Sequence, residues 1–367
     1  MSKNLGSWVA SSALLLVLGS VAGCTEEKKV PAVEEDAGAV DPAHKQAALG
    51  GKLAAAVKAA ESAQAPAKAA GGPPEKGVFA PGEADKVLAA GAPPKVELLG
   101  AGADPKVALV PSPGAGEQKE SISVAMRLGP QSGALNVEYG IAYKVEKPKD
   151  KPKDDKNEAA APEPVKVVGK VVAVAPAASI PRDLSDQIGK LKGMEIRWAA
   201  SPERGAFDVA YALPKGADAG MSTLVNPLVE AIGLATPPLP SKPVGVGAYW
   251  IATDRVTSSI VDVMRYRVFH VEKIEKDRAT LTMEIRQYAV KGEVEAGGGQ
   301  KLAVDQFESS GKGRTEWTAH GLLPARSEAQ VRMAVAGRIQ SGQQGMLQTD
   351  FTTKMNEVGA DKAEKKK

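Results

Sequence analysis

The sequence predicts a mainly β domain of the α+β class, in which one large curled antiparallel sheet packs on one or two helices and follows a disordered tether. Three observations lead to this prediction. Apolar and polar residues alternate with a period of two in many segments after residue 120, as in strands with one buried and one wet face. In residues 218–232 the apolar residues recur at helical spacing instead. The residues before 96 are rich in Ala, Pro and Gly, a composition typical of disorder.

The first quarter of the chain divides into a signal and a tether. Residues 1–23 combine a polar start containing Lys3 with an apolar stretch, which is the layout of a secretory signal peptide. Residues 24–95 contain many prolines and, apart from Phe79, no aromatic residue. Such a segment cannot bury enough apolar surface to offset the conformational entropy of the chain, so we expect a disordered tether.

The β-rich domain is predicted over residues 96–358. Its alternating segments predict strands at 121–128, 135–145, 194–198, 207–213, 281–285, 331–335 and 347–355. Residues 201–205 would close a hairpin between two of these strands. Residues 146–164 are rich in charge and proline and predict a flexible loop, and residues 359–367 form a charged tail.

The apolar face of such a sheet has to be covered, and residues 218–232 are the best candidate for the covering helix. An apolar stripe at helical spacing runs along this segment: Met221, Leu224, Val225, Leu228, Val229 and Ile232. Pro227 is expected to kink or split the helix, and Gly233 to end it. A second, shorter helix is predicted at 183–190.

Cys24 is the only cysteine of the chain and directly follows Val21-Ala22-Gly23 at the end of the signal. This arrangement resembles a lipoprotein signal, in which the cysteine after a small-residue run becomes the lipidated first residue. The resemblance implies an acylated (palmitate-type) Cys24 that holds the protein in a membrane, because two or more acyl chains anchor stably. In lipoproteins with this type of signal, an aspartate directly after the cysteine often marks retention in the inner membrane. Thr25 follows Cys24 here, so the resemblance implies the cell outer membrane of a Gram-negative cell. Periplasmic and surface orientations both remain open.

The segment Pro243-Val244-Gly245-Val246-Gly247-Ala248-Tyr249-Trp250, followed by a meander through Val290, is similar to an uncharacterised family of bacterial envelope lipoproteins. In that family a P-V-x-V-G-x-x-W element opens a strand after a helix. Gly245 and Gly247 would supply backbone freedom at the strand entrance, and Trp250 a core anchor. The resemblance implies a layout and a location, and it assigns no catalytic residue.

The search for chemistry in the sequence is largely negative. No catalytic triad, phosphate loop, metal-ligand spacing or cofactor motif is present, and the net charge of +3 gives no case for nucleic acid. His270 and Glu272 share a strand face, which is most simply a surface pair. Arg265 and Arg267 share a face with apolar residues, which predicts either a register switch at a bulge or a buried anion site. We therefore predict a protein without enzymatic activity, cofactor or metal.

Two functions remain after this search. The first is a structural or interaction module that presents a sheet face or edge strand to another envelope component. The second is a carrier of a hydrophobic, lipid-like ligand between the curled sheet and the helix at 218–232. The size of any cavity beside the helical stripe would distinguish them, since ligand pockets measure several hundred cubic ångströms.

Overall fold

The fold is taken from a computed structural model, which describes Pro74 and residues 76–114, 116–129, 133–146, 164–177, 180–217, 221–259, 261–296, 300–339 and 342–358. The predicted signal peptide, Cys24, the tether up to residue 73, most of the loop at 146–164 and the tail at 359–367 lie outside the described residues. The predictions made for them therefore stay predictions.

The described residues form three helices and thirteen strands. The helices are α1 (Glu83–Val87), α2 (Arg182–Gly189) and α3 (Ser222–Ala235). The strands are β1 (Lys95–Gly100), β2 (Gln118–Leu128), β3 (Leu135–Val145), β4 (Val165–Pro176), β5 (Glu195–Ser201), β6 (Gly205–Ala212), β7 (Tyr249–Ser258), β8 (Val261–Glu275), β9 (Arg278–Ala289), β10 (Glu293–Ala296), β11 (Gln300–Thr318), β12 (Arg326–Ile339) and β13 (Gln344–Glu357).

All strands belong to one antiparallel sheet with the order β1-β7-β8-β9-β11-β12-β13-β2-β3-β4-β5-β6, and β10 pairs with β11 outside this path. The mainly β fold class is therefore confirmed. Each predicted strand is present, and the predicted hairpin is the β5–β6 pair. Strands β1 and β6 are the two edges of the sheet.

Helix α3 shows that the sheet curls. Its C-terminal end meets β8, where Arg267 Nη1 donates a hydrogen bond to the Gly233 carbonyl at 3.1 Å. The residue after the helix meets β6 at the other end of the strand order, where the Ala206 amide donates to Thr236 Oγ1 at 3.0 Å. Strands far apart in the order thus approach the same helix end, and the sheet encloses α3 on its concave face.

The predicted end of the covering helix at Gly233 is wrong, and Pro227 does not split the helix. Helix α3 runs through Pro227 and Gly233 to Ala235 without interruption. It ends at Thr236 because this residue precedes Pro237, and a residue before proline disfavours the helical conformation. The Thr236 side chain then caps the helix, since its Oγ1 donates to the Ile232 carbonyl at 2.9 Å.

The packed part of the chain begins before the predicted boundary at Val96. Residues 76–91 carry α1 and cover the outer face of β7–β9 with Phe79, Ala84 and Leu88, opposite Tyr266 and Tyr288. The Phe79 ring meets the Tyr288 ring edge-on at 6.2 Å between centroids. The only aromatic residue of the predicted tether therefore belongs to the domain, and the tether prediction is corrected for residues 76–95.

The concave face holds two apolar clusters with a polar row between them. Along β8, Val261 and Val263 belong to one cluster and Phe269 to the other, with Arg265 and Arg267 between them on the same face. The larger cluster, called the main core below, includes α3 and both ends of the strand order. No helix among the described residues is both long and apolar enough to span a membrane.

Candidate functional site

The predicted ligand stripe on α3 is part of the main core. Met221, Val225, Leu228 and Ile232 are buried, and Leu224 and Val229 are partly buried against the same cluster. Tyr139 of β3 fixes the start of the helix by donating a hydrogen bond to the Leu224 carbonyl at 3.0 Å. The stripe therefore fills the concave face, as a plain core helix does.

The two arginines of the polar row bind a carboxylate of the chain itself. Asp254 lies opposite Arg265 in the β7–β8 pairing. Arg265 grips it with two hydrogen bonds, from Nε at 2.9 Å and from Nη2 at 2.6 Å, and Arg267 Nη2 adds a third at 2.8 Å. The register of β8 against β7 is continuous here, so the register switch is wrong, and the anion held by the arginines is Asp254.

The pKa shifts of the buried acids and arginines show how their charges balance one another. Burial would raise the pKa of Asp254, but Arg265 and Arg267 outweigh burial and hold it below its usual value. Burial lowers the pKa of Arg267 to about 9, helped by the neighbouring charge of Arg265. Glu230 of α3 lies close by, and its desolvation raises its pKa although Ser258 and Ser259 donate hydrogen bonds to it. The row is a structural ion cluster that ties α3 to β7 and β8.

A cavity opens at the end of the sheet where α3 stops. Its volume is about 130 Å³, and its walls include Val110, Pro202, Gly205, Pro237, Trp317 and Leu322. An apolar cavity of about 150 Å³ holds one benzene ring, whereas sites for drug-sized ligands begin at about 300 Å³. No residue of the helical stripe lines this cavity. The space therefore suits a single apolar side chain.

One side of the cavity is formed by the tight turn between β5 and β6, which the segment after α3 fixes in place. The Leu239 amide donates to the Pro202 carbonyl at 2.7 Å. Gly205 has φ +65°, and a Cβ there would lie 2.5 Å from the Thr236 carbonyl oxygen, so only glycine fits. The cavity wall is thus set by backbone contacts.

Arg204 lies in the same turn. Its guanidinium stacks on the Phe207 ring at 3.4 Å from the ring centroid. Its Nε is buried without a hydrogen-bond partner, and none of the ion pairs found among the described residues includes Arg204. Arg204 is not one of the residues that line the cavity, so its guanidinium lies outside the cavity wall.

Glu120 is a buried acid at the same end of the sheet. It is 2% exposed, its Oε2 has no hydrogen-bond partner, and it lies opposite Glu357 of β13. Burial, assisted by the charge of Glu357, raises its pKa to about 9 from the usual 4.5. The folded protein therefore keeps this carboxyl protonated at neutral pH.

Folding stability should depend on pH through Glu120. Because the folded state holds the proton more tightly, the stabilisation is complete below pH 4.5 and is lost as the pH rises towards 9. Between pH 5 and pH 7 the loss should reach about 2–3 kcal/mol. Urea melts of the wild type and Glu120→Gln at both pH values measure it, and the variant should show less of this loss. An identical pH dependence in both proteins would contradict the assignment.

Trp250 lies inside the core, whereas His270 and Glu272 lie on the surface. Trp250 is fully buried, donates from Nε1 to the Pro238 carbonyl at 2.9 Å, and stacks on Phe269 with centroids 5.3 Å apart, which confirms it as a core anchor. His270 and Glu272 are exposed, and Glu272 pairs with Arg314. Within the described part of the chain, no group of three or more His, Cys, Asp or Glu is placed to bind a metal.

Sequence reasoning missed three features of this site. The Arg265 and Arg267 pattern did signal a buried charge, but nothing in the sequence marks Asp254 as its partner. Arg204 was seen only as a turn residue. Nothing in the sequence marks Pro237 and Pro238, which follow α3 and which the structure buries beside the cavity.

No protein-family model matches this chain, and no match is found among curated proteins. The similarity to envelope lipoproteins therefore stays a resemblance carried by the residues quoted above.

Proposed function

We propose that this protein is an interaction module of the bacterial envelope, anchored in the outer membrane through Cys24, that binds a partner protein at the open end of its sheet. The observation that carries the proposal is the cavity, which accepts one side chain while α3 fills the rest of the concave face. A partner that binds through one anchor side chain needs such a pocket, because the binding free energy of an interface is concentrated in a few buried residues.

The position of the cavity relative to the tether supports this proposal. The described chain enters the sheet beside Phe307, whose amide donates to the Lys76 carbonyl at 2.9 Å. Trp317, a wall of the cavity, lies ten residues further along β11, roughly 33 Å away at about 3.3 Å per residue. A tether from Cys24 would thus attach at the end of the sheet remote from the cavity.

A photo-crosslinking amino acid in the cell tests this function. Placed at Val110, which is 55% exposed and lines the cavity, it should give a discrete protein adduct. Met346 is the matched control, because it is 68% exposed and lies at the opposite end of the sheet. Leu322→Asp should abolish the Val110 adduct by introducing a charge into the cavity wall.

Two outcomes would contradict the proposal. Equal adducts from Val110 and Met346, or none from either position, would show that the open end of the sheet is not an interface. An adduct of lipid mass at Val110 would instead favour the alternative function, carriage of a hydrophobic ligand. That alternative gains no support from the stripe on α3, since the stripe lines no part of the cavity.

A further inference from the structure

The wall of the cavity contains no charged side chain. Rings from five prolines form much of it: Pro111, Pro113, Pro202, Pro237 and Pro324. Its side-chain hydroxyls belong to Ser201 and Thr236. The Thr236 hydroxyl is engaged inside the chain, since it donates to the Ile232 carbonyl and accepts from the Ala206 amide. A charged or strongly polar occupant would therefore lose its hydration in the cavity without gaining partners for its polar atoms.

Trp317 is the one tryptophan of the described chain whose ring has no aromatic neighbour there. The Trp198 ring meets the Tyr143 ring at 5.5 Å between centroids, and the Trp250 ring stacks on Phe269 at 5.3 Å. Trp317 is buried like the other two, and its side of the sheet lines the cavity. Stacking of two rings strengthens binding by about 2- to 10-fold beyond the effect of the buried area. An aromatic ring in the cavity would supply the neighbour that Trp317 lacks.

The volume of the cavity selects among the aromatic side chains. A space of about 130 Å³ is slightly smaller than the cavity of about 150 Å³ that binds one benzene ring, so it suits a single six-membered ring. The two fused rings of tryptophan would have to displace the wall, which costs free energy in a packed structure. Tyrosine has one ring, but its hydroxyl would be buried against a wall that offers few acceptors. Phenylalanine meets both requirements.

We propose that the cavity binds the phenyl ring of a phenylalanine side chain from the partner protein, with the ring packed on Trp317 and the prolines of the wall. The partner class is thus a protein that exposes a phenylalanine as its anchor residue. This inference rests on the proposed interaction function and specifies the residue that the partner contributes.

Binding of isolated side-chain analogues to the full-length protein tests the inference. The probes are toluene for phenylalanine, p-cresol for tyrosine and 3-methylindole for tryptophan, each titrated by NMR. Toluene should bind with a dissociation constant of about 1 mM or lower. The other two should bind about 10-fold more weakly, p-cresol because of its hydroxyl and 3-methylindole because of its size. Bound toluene should also shift the indole signal of Trp317, because the two rings lie in contact.

A pair of neighbouring alanines in β5 provides a matched variant and control. Ala200 lines the cavity, so Ala200→Leu should fill the space and weaken toluene binding at least 10-fold, with no loss of melting temperature. Ala199 faces the other side of the strand and lies outside the wall, so Ala199→Leu should leave toluene binding unchanged. The comparison of the three probes in the wild type depends on neither variant.

The adduct formed at Val110 in the cell tests the same inference on the partner. Mass spectrometry should find a phenylalanine in the partner peptide that is joined to Val110. Replacing this phenylalanine by alanine in the partner should reduce the yield of the adduct at least 10-fold, because it removes the anchor ring.

Several results would overturn the inference. These are equal or tighter binding of p-cresol or 3-methylindole, toluene binding without a shift at Trp317, unchanged toluene affinity in Ala200→Leu, or no toluene binding at about 1 mM. If the Val110 adduct still forms in any of these cases, the interaction function stands and only the phenylalanine anchor is excluded. If the adduct is absent, the interaction function fails, and this inference fails with it even if toluene binds.

Discussion

Asp254→Ala is expected to lower the free energy of unfolding by about 3–5 kcal/mol, because it leaves Arg265 and Arg267 buried without their shared carboxylate. The side chains of both arginines are less than 5% exposed, so water cannot replace the lost partner. Urea denaturation at pH 7, followed by tryptophan fluorescence, measures the loss.

The chain offers a matched control for this prediction. Arg338 grips Asp305 through Nε and Nη2 at 2.9 and 2.8 Å, nearly the geometry of the Arg265–Asp254 pair, but both side chains are about half exposed. Asp305→Ala should therefore fall within the scatter of ordinary surface substitutions. Similar losses in the two variants would mean that burial of the cluster has no energetic consequence, contrary to the prediction.

Trp250→Ala should also destabilise the protein by about 3–5 kcal/mol, since it empties a fully buried site and removes the hydrogen bond to Pro238. The substitution also removes a contact that holds the segment beside the cavity, because Pro238 directly follows Pro237, which lines the cavity. Denaturant melts of the full-length protein decide the magnitude.

Tyr249→Ala is the control for Trp250, since it removes the neighbouring aromatic ring from the opposite face of the same strand. Tyr249 is 36% exposed and stacks on the exposed His270 at 5.6 Å between centroids. Its loss should cost about 1 kcal/mol or less. A larger loss for Tyr249→Ala than for Trp250→Ala would invert the assignment of inner and outer faces of β7.

The inner and outer faces of most strands could be predicted from the sequence. In β12, Val331, Met333 and Val335 alternate with polar residues, and the structure buries these three. Period-two alternation is a property of one segment, so it predicts the two faces of a strand without knowledge of the neighbouring strands. The helical stripe of α3 was predictable for the same reason, and all six of its residues contact the main core.

The end of α3 and the start of the domain were less predictable. A glycine often ends a helix, but here Gly233 lies inside it, and its carbonyl accepts a hydrogen bond from Arg267 of β8. Residues 76–91 have the composition of a tether, yet Phe79 and Leu88 pack on a sheet face that is complete only after Val290. Both outcomes depend on residues far away in the sequence.

The sequence by itself determined the fold class of this protein, its mainly β pattern with one apolar helix, and the face on which most side chains of the strands lie. Only the tertiary structure decided which side chains meet. It paired β13 with β2, placed Asp254 opposite Arg265, and brought the Arg204 turn beside the residues that follow α3. The physical reason is that alternation fixes the face of a strand, whereas partners depend on strand order, register and curl, which distant segments set together.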